Sequence, residues 1–94
     1  MPAERKIKKI EYGTKFLHSL HKLPIDIQQK AEMREEIFKV NAFDPRLNTH
    51  KLHGKDADKW AYSVDYEYRI KFVFLDDNDG VLYLDIGTHD EVYR

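Results

Sequence analysis

The chain has 94 residues, with 16 Lys/Arg, 17 Asp/Glu and 5 His, for a formal net charge of −1. This length supports one modest core, so a single domain over residues 1–94 is expected. The absence of cysteine excludes disulfide frameworks and thiolate metal sites. No apolar run approaches the roughly 18 residues a bilayer demands, and no apolar leader core follows the first charged residues, so the expectation is a cytoplasmic protein without membrane contact.

Charge is unevenly spread. Residues 1–59 carry 13 Lys/Arg against 9 Asp/Glu, while residues 60–94 carry 3 against 8. A basic face can track phosphates even on a near-neutral protein, because local potential steers a ligand more than total charge does. A Lys-rich helix is also what a solvated face ordinarily looks like.

Residues 7–12 form a short segment whose lysines suit a protected edge strand. Thr14 is placed to cap a helix carrying Phe16, Leu17, Leu20 and Leu23 at helical spacing. Pro24 ends that helix and opens a second one running to about Val40. In the second, Ile27, Ala31, Met33, Ile37, Phe38 and Val40 supply an apolar stripe, and Gln28, Lys30, Glu32 and Glu35 face water. Residues 41–59 are irregular and hold Pro45, Gly54 and the cluster Arg46, His50, Lys51, His53 and Lys55. Loops of this length inside small domains usually carry function.

Three strands follow. Residues 60–65 alternate Trp60, Tyr62 and Val64 toward one face. Residues 68–75 alternate Tyr68, Ile70, Phe72 and Phe74 against Arg69, Lys71 and Val73. Asp76, Asp77, Asn78, Asp79 and Gly80 mark a hairpin turn before a strand over residues 81–86. The order β-α-α-β-β-β predicts an α+β fold with both helices on one face of an antiparallel sheet. The other face is left open, with Arg69 pointing to it.

Candidate chemistry centres on His89, an imidazole just past a strand end, where side chains reach solvent on a rigid scaffold. His18 and His21 share a helix face but have no carboxylate at helical spacing to complete a metal site, so they read as surface residues. His50 and His53 sit among cations, which favour an anion over a metal. Neither a metal nor a cofactor is called for. The same residues suit RNA cleavage, which requires a base for the 2′-hydroxyl proton, cations for the charged phosphorane and an acid for the leaving 5′-oxygen. Imidazole titrates in the right range for either proton role, and Arg69 presents planar donors to a phosphate. Each also has a plain structural alternative. Arg69 can pair across the sheet with Asp85, and His89 can merely cap its strand.

Four stretches carry a resemblance: Phe43-Asp44-Pro45-Arg46-Leu47-Asn48-Thr49-His50-Lys51-Leu52-His53-Gly54, Trp60-Ala61-Tyr62-Ser63, Tyr68-Arg69-Ile70-Lys71-Phe72, and Ile86-Gly87-Thr88-His89-Asp90-Glu91-Val92-Tyr93. Taken in order, they resemble the RelE/ParE superfamily of type II toxin–antitoxin toxins across essentially the whole chain, and within it the RelE-type and YafQ-like endoribonucleases. The resemblance implies cleavage of mRNA, usually in the ribosomal A site, and neutralisation by a cognate antitoxin. It places a phosphate-stabilising arginine on Arg69 and a catalytic histidine on His89. A loop histidine falls on His50 and a strand acid on Glu67. It matches Lys51 and Lys55 to a basic loop that contacts RNA and Tyr93 to a terminal tyrosine, and Arg46, in the same basic cluster, is a further candidate for binding RNA phosphate. His89 would serve as acid and His50 or Glu67 as base, with the two labels interchangeable. Two departures stand out: the YafQ-like branch has a further histidine where this chain has Ser63, and the toxins are typically basic. The alternatives are a ParE-like gyrase inhibitor or a catalytically degenerate toxin retained as a binding module. An antitoxin is expected on the open sheet face or the helix pair, with Tyr66 and Val73 as anchors.

Overall fold

A computed structural model describes residues 4–75 and 79–93. The elements are β1 (Lys9–Tyr12), α1 (Thr14–His21), α2 (Ile25–Val40), β2 (His50–Lys51), β3 (Trp60–Ser63), β4 (Tyr68–Phe74), β5 (Gly80–Thr88) and α3 (His89–Val92). The sheet order is β1-β5-β4-β3-β2. The α+β class and the helix–helix–strand order are as the sequence predicts. One pairing differs: β1 runs parallel to β5, with Ile10 opposite Val81, while the other neighbours are antiparallel.

The turn from β1 into α1 also departs from expectation. Gly13, not Thr14, occupies the N-cap, and no side chain caps the helix. Gly13 donates its N–H to the Tyr83 carbonyl at 2.9 Å. A Cβ built on Gly13 would lie 2.7 Å from that same oxygen. The close approach of two backbones therefore selects glycine over a capping side chain. Pro24 caps α2 as its predicted role requires. In α2 the stripe is narrower than expected: Ile27, Ala31 and Phe38 are buried, but Met33 and Val40 are 70% and 67% exposed. At about 100° per residue the first three fall within about 40° of one another, whereas Met33 and Val40 lie over 100° from Ile27.

The main core sits between the helices and the sheet. Phe38 stacks on Tyr62 with ring centres 4.6 Å apart and meets Phe72 edge-on at 5.0 Å. The Tyr62 and Tyr83 hydroxyls bond each other at 2.8 Å, so two buried phenols satisfy one another. Burial raises both above the usual tyrosine range. Among the described residues, no buried side-chain polar atom lacks a partner.

The face expected to be open is partly covered. Residues 89–92 form α3, and Val92 packs, fully buried, with Leu52 and Ala61 in a second small cluster. Ala61 and Tyr62 are adjacent on β3 and both fully buried, because alternate residues face opposite sides and each side is covered here. A reciprocal cap starts α3: Thr88 Oγ1 accepts from the Glu91 N–H, and the Glu91 carboxylate accepts from the Thr88 N–H at 2.8 Å.

Residues 41–59 are also more ordered than a loop. Asn41 Oδ1 accepts from the N–H groups of Arg5 and Phe43. Thr49 donates to the Ala42 carbonyl at 2.6 Å. Leu47 is fully buried. Short 3-10 turns, Pro45–Leu47 and Gly54–Asp56, flank the two-residue strand β2. Of the predicted hairpin turn, Asp76, Asp77 and Asn78 lie outside the described residues. Leu75 donates to the Gly80 carbonyl at 2.9 Å where β5 begins.

Candidate active site

Strand β2 lies against β3 with His50 opposite Ala61. This brings a loop imidazole over the small cluster on which α3 docks. From α3, His89 and its neighbour one turn on, Tyr93, project from one side, since residues four apart share a helix face. The Tyr93 N–H donates to the His89 carbonyl at 3.2 Å, and the His89 N–H donates to the Glu67 carbonyl at 3.0 Å. Val92 anchors this turn below and the Thr88–Glu91 cap holds it at its start.

The side chains meet at Tyr93. Its ring lies edge-on to His89 with centres 4.3 Å apart and tilts against His50 at 5.6 Å. The Tyr93 hydroxyl hydrogen-bonds His50 Nε2, and the other ring nitrogen of His50 faces the Asn48 carbonyl at 2.9 Å. The Arg69 guanidinium lies near the same phenol. Burial raises Tyr93 above the ordinary tyrosine range, and Arg69 opposes that rise through its charge and a hydrogen bond. His50, Arg69 and the neighbouring pair His89 and Tyr93, three regions distant in sequence, thus share one locality.

A cleft of about 440 Å³ opens there, lined by His50, Lys51, Leu52, His53, Asp56, His89 and Tyr93. A second, of about 460 Å³, lies on the other flank of His89 and is lined by Tyr66, Glu67, Thr88 and Asp90. His89 therefore borders both, while His50 and Glu67 line different clefts. His89 Nδ1 is 3.6 Å from an Asp90 carboxylate oxygen, and both side chains are exposed.

Arg69 sits on β4 opposite Ser63 and Gly87. It does not pair with Asp85. That carboxylate accepts from Ser19 at 2.7 Å, lies 3.4 Å from Lys15, and stands opposite Lys71 in the register. Arg69 Nη1 instead donates to the carbonyls of Asp65, Tyr66 and Tyr68 at 2.8, 3.2 and 3.1 Å. One arm of the guanidinium latches the β3–β4 turn while its charge remains beside Tyr93. Asp65 braces the same turn by accepting from the N–H groups of Glu67 and Tyr68, and these bonds hold its carboxyl below the usual range against the opposing effect of burial.

The remaining sequence candidates separate. Lys51 is exposed on the cleft wall. Lys55 is exposed in the 3-10 turn but is not a lining residue of either cleft. Arg46 also lies off both clefts and is engaged by its neighbour: Nε and Nη2 donate to the two Asp44 carboxylate oxygens at 3.0 and 2.8 Å. Those bonds hold the Asp44 carboxyl down to about 2 and raise Arg46. His18 and His21 are exposed on α1. Among the described residues, no three His, Asp or Glu side chains gather closely enough to hold a metal ion. Asp56, not among the sequence candidates, also lines the cleft and lies 3.6 Å from Lys71 and 3.5 Å from Lys59. The outward position of Lys71 on β4 was the available signal. His53, weighed with His50 as a metal pair and set aside, is a wall residue of the cleft.

This arrangement can accept and donate a proton within one cleft and hold an anion there with Lys51, while the Arg69 guanidinium, which lines neither cleft, reaches the site through Tyr93. The fold around it is that of the RelE/ParE-type toxins. Over 93% of this chain and 98% of the other, it superimposes on a chain of the RelBE2 toxin–antitoxin complex from Mycobacterium tuberculosis with a TM-score of 0.76 at 18% identity. A YoeB/ParE toxin from Agrobacterium tumefaciens is similar over 86% of this chain and 98% of its own (TM-score 0.72, 13% identity). YafQ from E. coli is similar over 92% and 98% (0.66, 14%). No family model matches the chain, and none of the curated proteins does.

Proposed function

We propose that this protein is the toxin of a type II toxin–antitoxin pair and acts as a metal-independent endoribonuclease on mRNA, on the ribosome, until a cognate antitoxin neutralises it. The observation that carries the reading is the meeting of His50, His89 and the Arg69 guanidinium around the Tyr93 phenol. Cleavage by 2′-hydroxyl attack calls for those three chemistries: a base, an acid and a fixed cation near the phosphorane. Arg69 supplies the cation, with Lys51 on the cleft wall in support. His89 donates the proton to the leaving 5′-oxygen. The base is His50, which shares the cleft with His89, or Glu67, across His89 in the neighbouring one. Tyr93 offers a ring face for a base and a hydroxyl for the phosphate.

The antitoxin reading is supported by exposed apolar side chains on α2 and at the β3–β4 turn. Ile25 is 66% exposed and Tyr66 is 98% exposed. Val73, the other expected anchor, is half-buried. The solved complexes RelBE2 and archaeal RelE–RelB show proteins of this fold paired with antitoxins.

The test is to induce the protein in cells, map RNA ends, and repeat with Arg69→Ala and His89→Ala. Removing a transition-state cation typically costs about 10²–10³ in rate, so Arg69→Ala should fall by that factor while remaining folded. Normal cleavage by both variants would overturn the site. DNA damage without messenger loss would favour a gyrase poison instead.

A further inference from the structure

Asn48 adopts a left-handed backbone, φ 50° and ψ 43°, at the end of the Pro45–Leu47 turn. No other described non-glycine residue has a positive φ. Its N–H closes that turn on the Pro45 carbonyl at 3.3 Å, and its own carbonyl faces forward to His50 Nδ1 at 2.9 Å. A carbonyl oxygen only accepts, so Nδ1 must carry the proton. In neutral imidazole that leaves Nε2 with its lone pair. Nε2 is the nitrogen that meets the Tyr93 hydroxyl, so the phenol donates and Nε2 accepts.

From this geometry we infer that Asn48 is a positioning residue: its left-handed turn holds neutral His50 as the Nδ1–H tautomer and aims the Nε2 lone pair at the Tyr93 hydroxyl in the cleft. The inference rests on the reading of His50 as a proton-transfer group. It adds the reason that only one of the two ring nitrogens can take part. Nδ1 is committed to the loop backbone, and a proton arriving from substrate must enter at Nε2, replacing the Tyr93 hydrogen bond. The device depends on the backbone rather than the Asn48 side chain. Asparagine is among the few residues that enter this region readily, glycine enters it freely, and a β-branched residue is a strained outlier there.

The test is ¹⁵N NMR of the histidine rings in the full chain, at a pH where His50 is neutral, for wild type, Asn48→Gly, Asn48→Val and Tyr93→Phe. In wild type, Asn48→Gly and Tyr93→Phe, His50 should show a protonated Nδ1 and a bare Nε2. In Asn48→Val this signature should be lost. RNA cleavage should follow the same division between the two Asn48 variants, with Asn48→Val reduced roughly 10²-fold, the low end of what a placed proton-transfer group contributes. A protonated Nε2 in wild type overturns the inference, as does a retained Nδ1–H in folded Asn48→Val. Loss of the signature in Tyr93→Phe overturns it too, because the phenol would then set the tautomer. If Asn48→Val fails to fold, the wild-type and Tyr93→Phe spectra still decide. Undiminished cleavage by His50→Ala would end the role given to His50 in the proposed function, whereas the ring spectra decide the tautomer independently of cleavage.

Discussion

Val92 is where a small perturbation should separate the site from the fold. Its side chain is fully buried against Leu52 and Ala61, with Tyr93 packed alongside. The helix that carries it spans four residues, far too few to persist alone in water. Docking of α3 therefore relies on this contact, the Thr88–Glu91 cap and the Tyr93–His50 bond. Val92→Ala removes two methyl groups from a closed site, a loss of about 2 kcal/mol at roughly 0.8 kcal/mol per group plus a share for the cavity. With 1.4 kcal/mol per tenfold, docking of α3 should weaken about 30-fold. The main core of Phe38, Tyr62, Phe72 and Tyr83 does not touch this cluster and should be little changed. Hydrogen exchange provides the assay. The N–H groups of Glu91 and Tyr93 should exchange tens of times faster, core strand amides should change much less, and RNA cleavage should fall. Equal acceleration in α3 and in the centre of β4 would refute the claim that α3 opens as a separate unit. Unchanged exchange in α3 would refute the importance of Val92.

Two further outcomes are expected. Gly13→Ala places a Cβ 2.7 Å from the Tyr83 carbonyl and should cost about 1–3 kcal/mol, lowering the midpoint of thermal unfolding by several degrees; an unchanged midpoint would refute the close approach. Alkali should destabilise the fold, because Tyr62 and Tyr83 are raised above their unfolded value of about 10 and Tyr12 is pushed up to about 12 by partial burial and then by Glu35. The unfolded chain then loses these protons first, so stability is intact below pH 10 and declines as pH rises further. Each core tyrosine contributes up to about 1.4 kcal/mol per pH unit, and urea unfolding at pH 8 and 11 reads the difference, with equal stability at both refuting it.

The strands β3 and β4 were readable because side chains alternate and one face is apolar, and β5 because an apolar run, residues 81–84, follows a turn signal. The boundary between α1 and α2 was readable from Pro24, whose geometry acts locally. Where distant backbone intervened, local preference was a poor guide. Thr14 is the better capping residue by propensity, yet the Tyr83 carbonyl leaves room only for Gly13. The partner and direction of β1 were invisible, since a four-residue strand with one half-buried position says nothing about its neighbour. The terminal helix was legible and overlooked. Thr88-His89-Asp90-Glu91 has the spacing of a reciprocal cap, and it marks a helix start just past the expected end of the last strand. Of the candidate site residues, His50, Arg69, His89 and Tyr93 stood out by their chemistry, and the fold brings these four together. Arg46 is a candidate on charge, which carries no information about direction, and the structure sets it against Asp44; Lys55, matched to a basic loop, is exposed away from both clefts.

The pairing of β1 with β5 bears on the order of folding. Lys9 lies opposite Gly80, so the first of the described strands waits for the last of them, with α1, α2 and three strands synthesised in between. Such a distant contact carries a large closure entropy and slows acquisition of the native topology. The same late segment brings His89 and Tyr93 to His50. A nascent chain lacking it would hold an unpaired first strand and a solitary loop imidazole, so completion of the sheet and assembly of the cleft coincide.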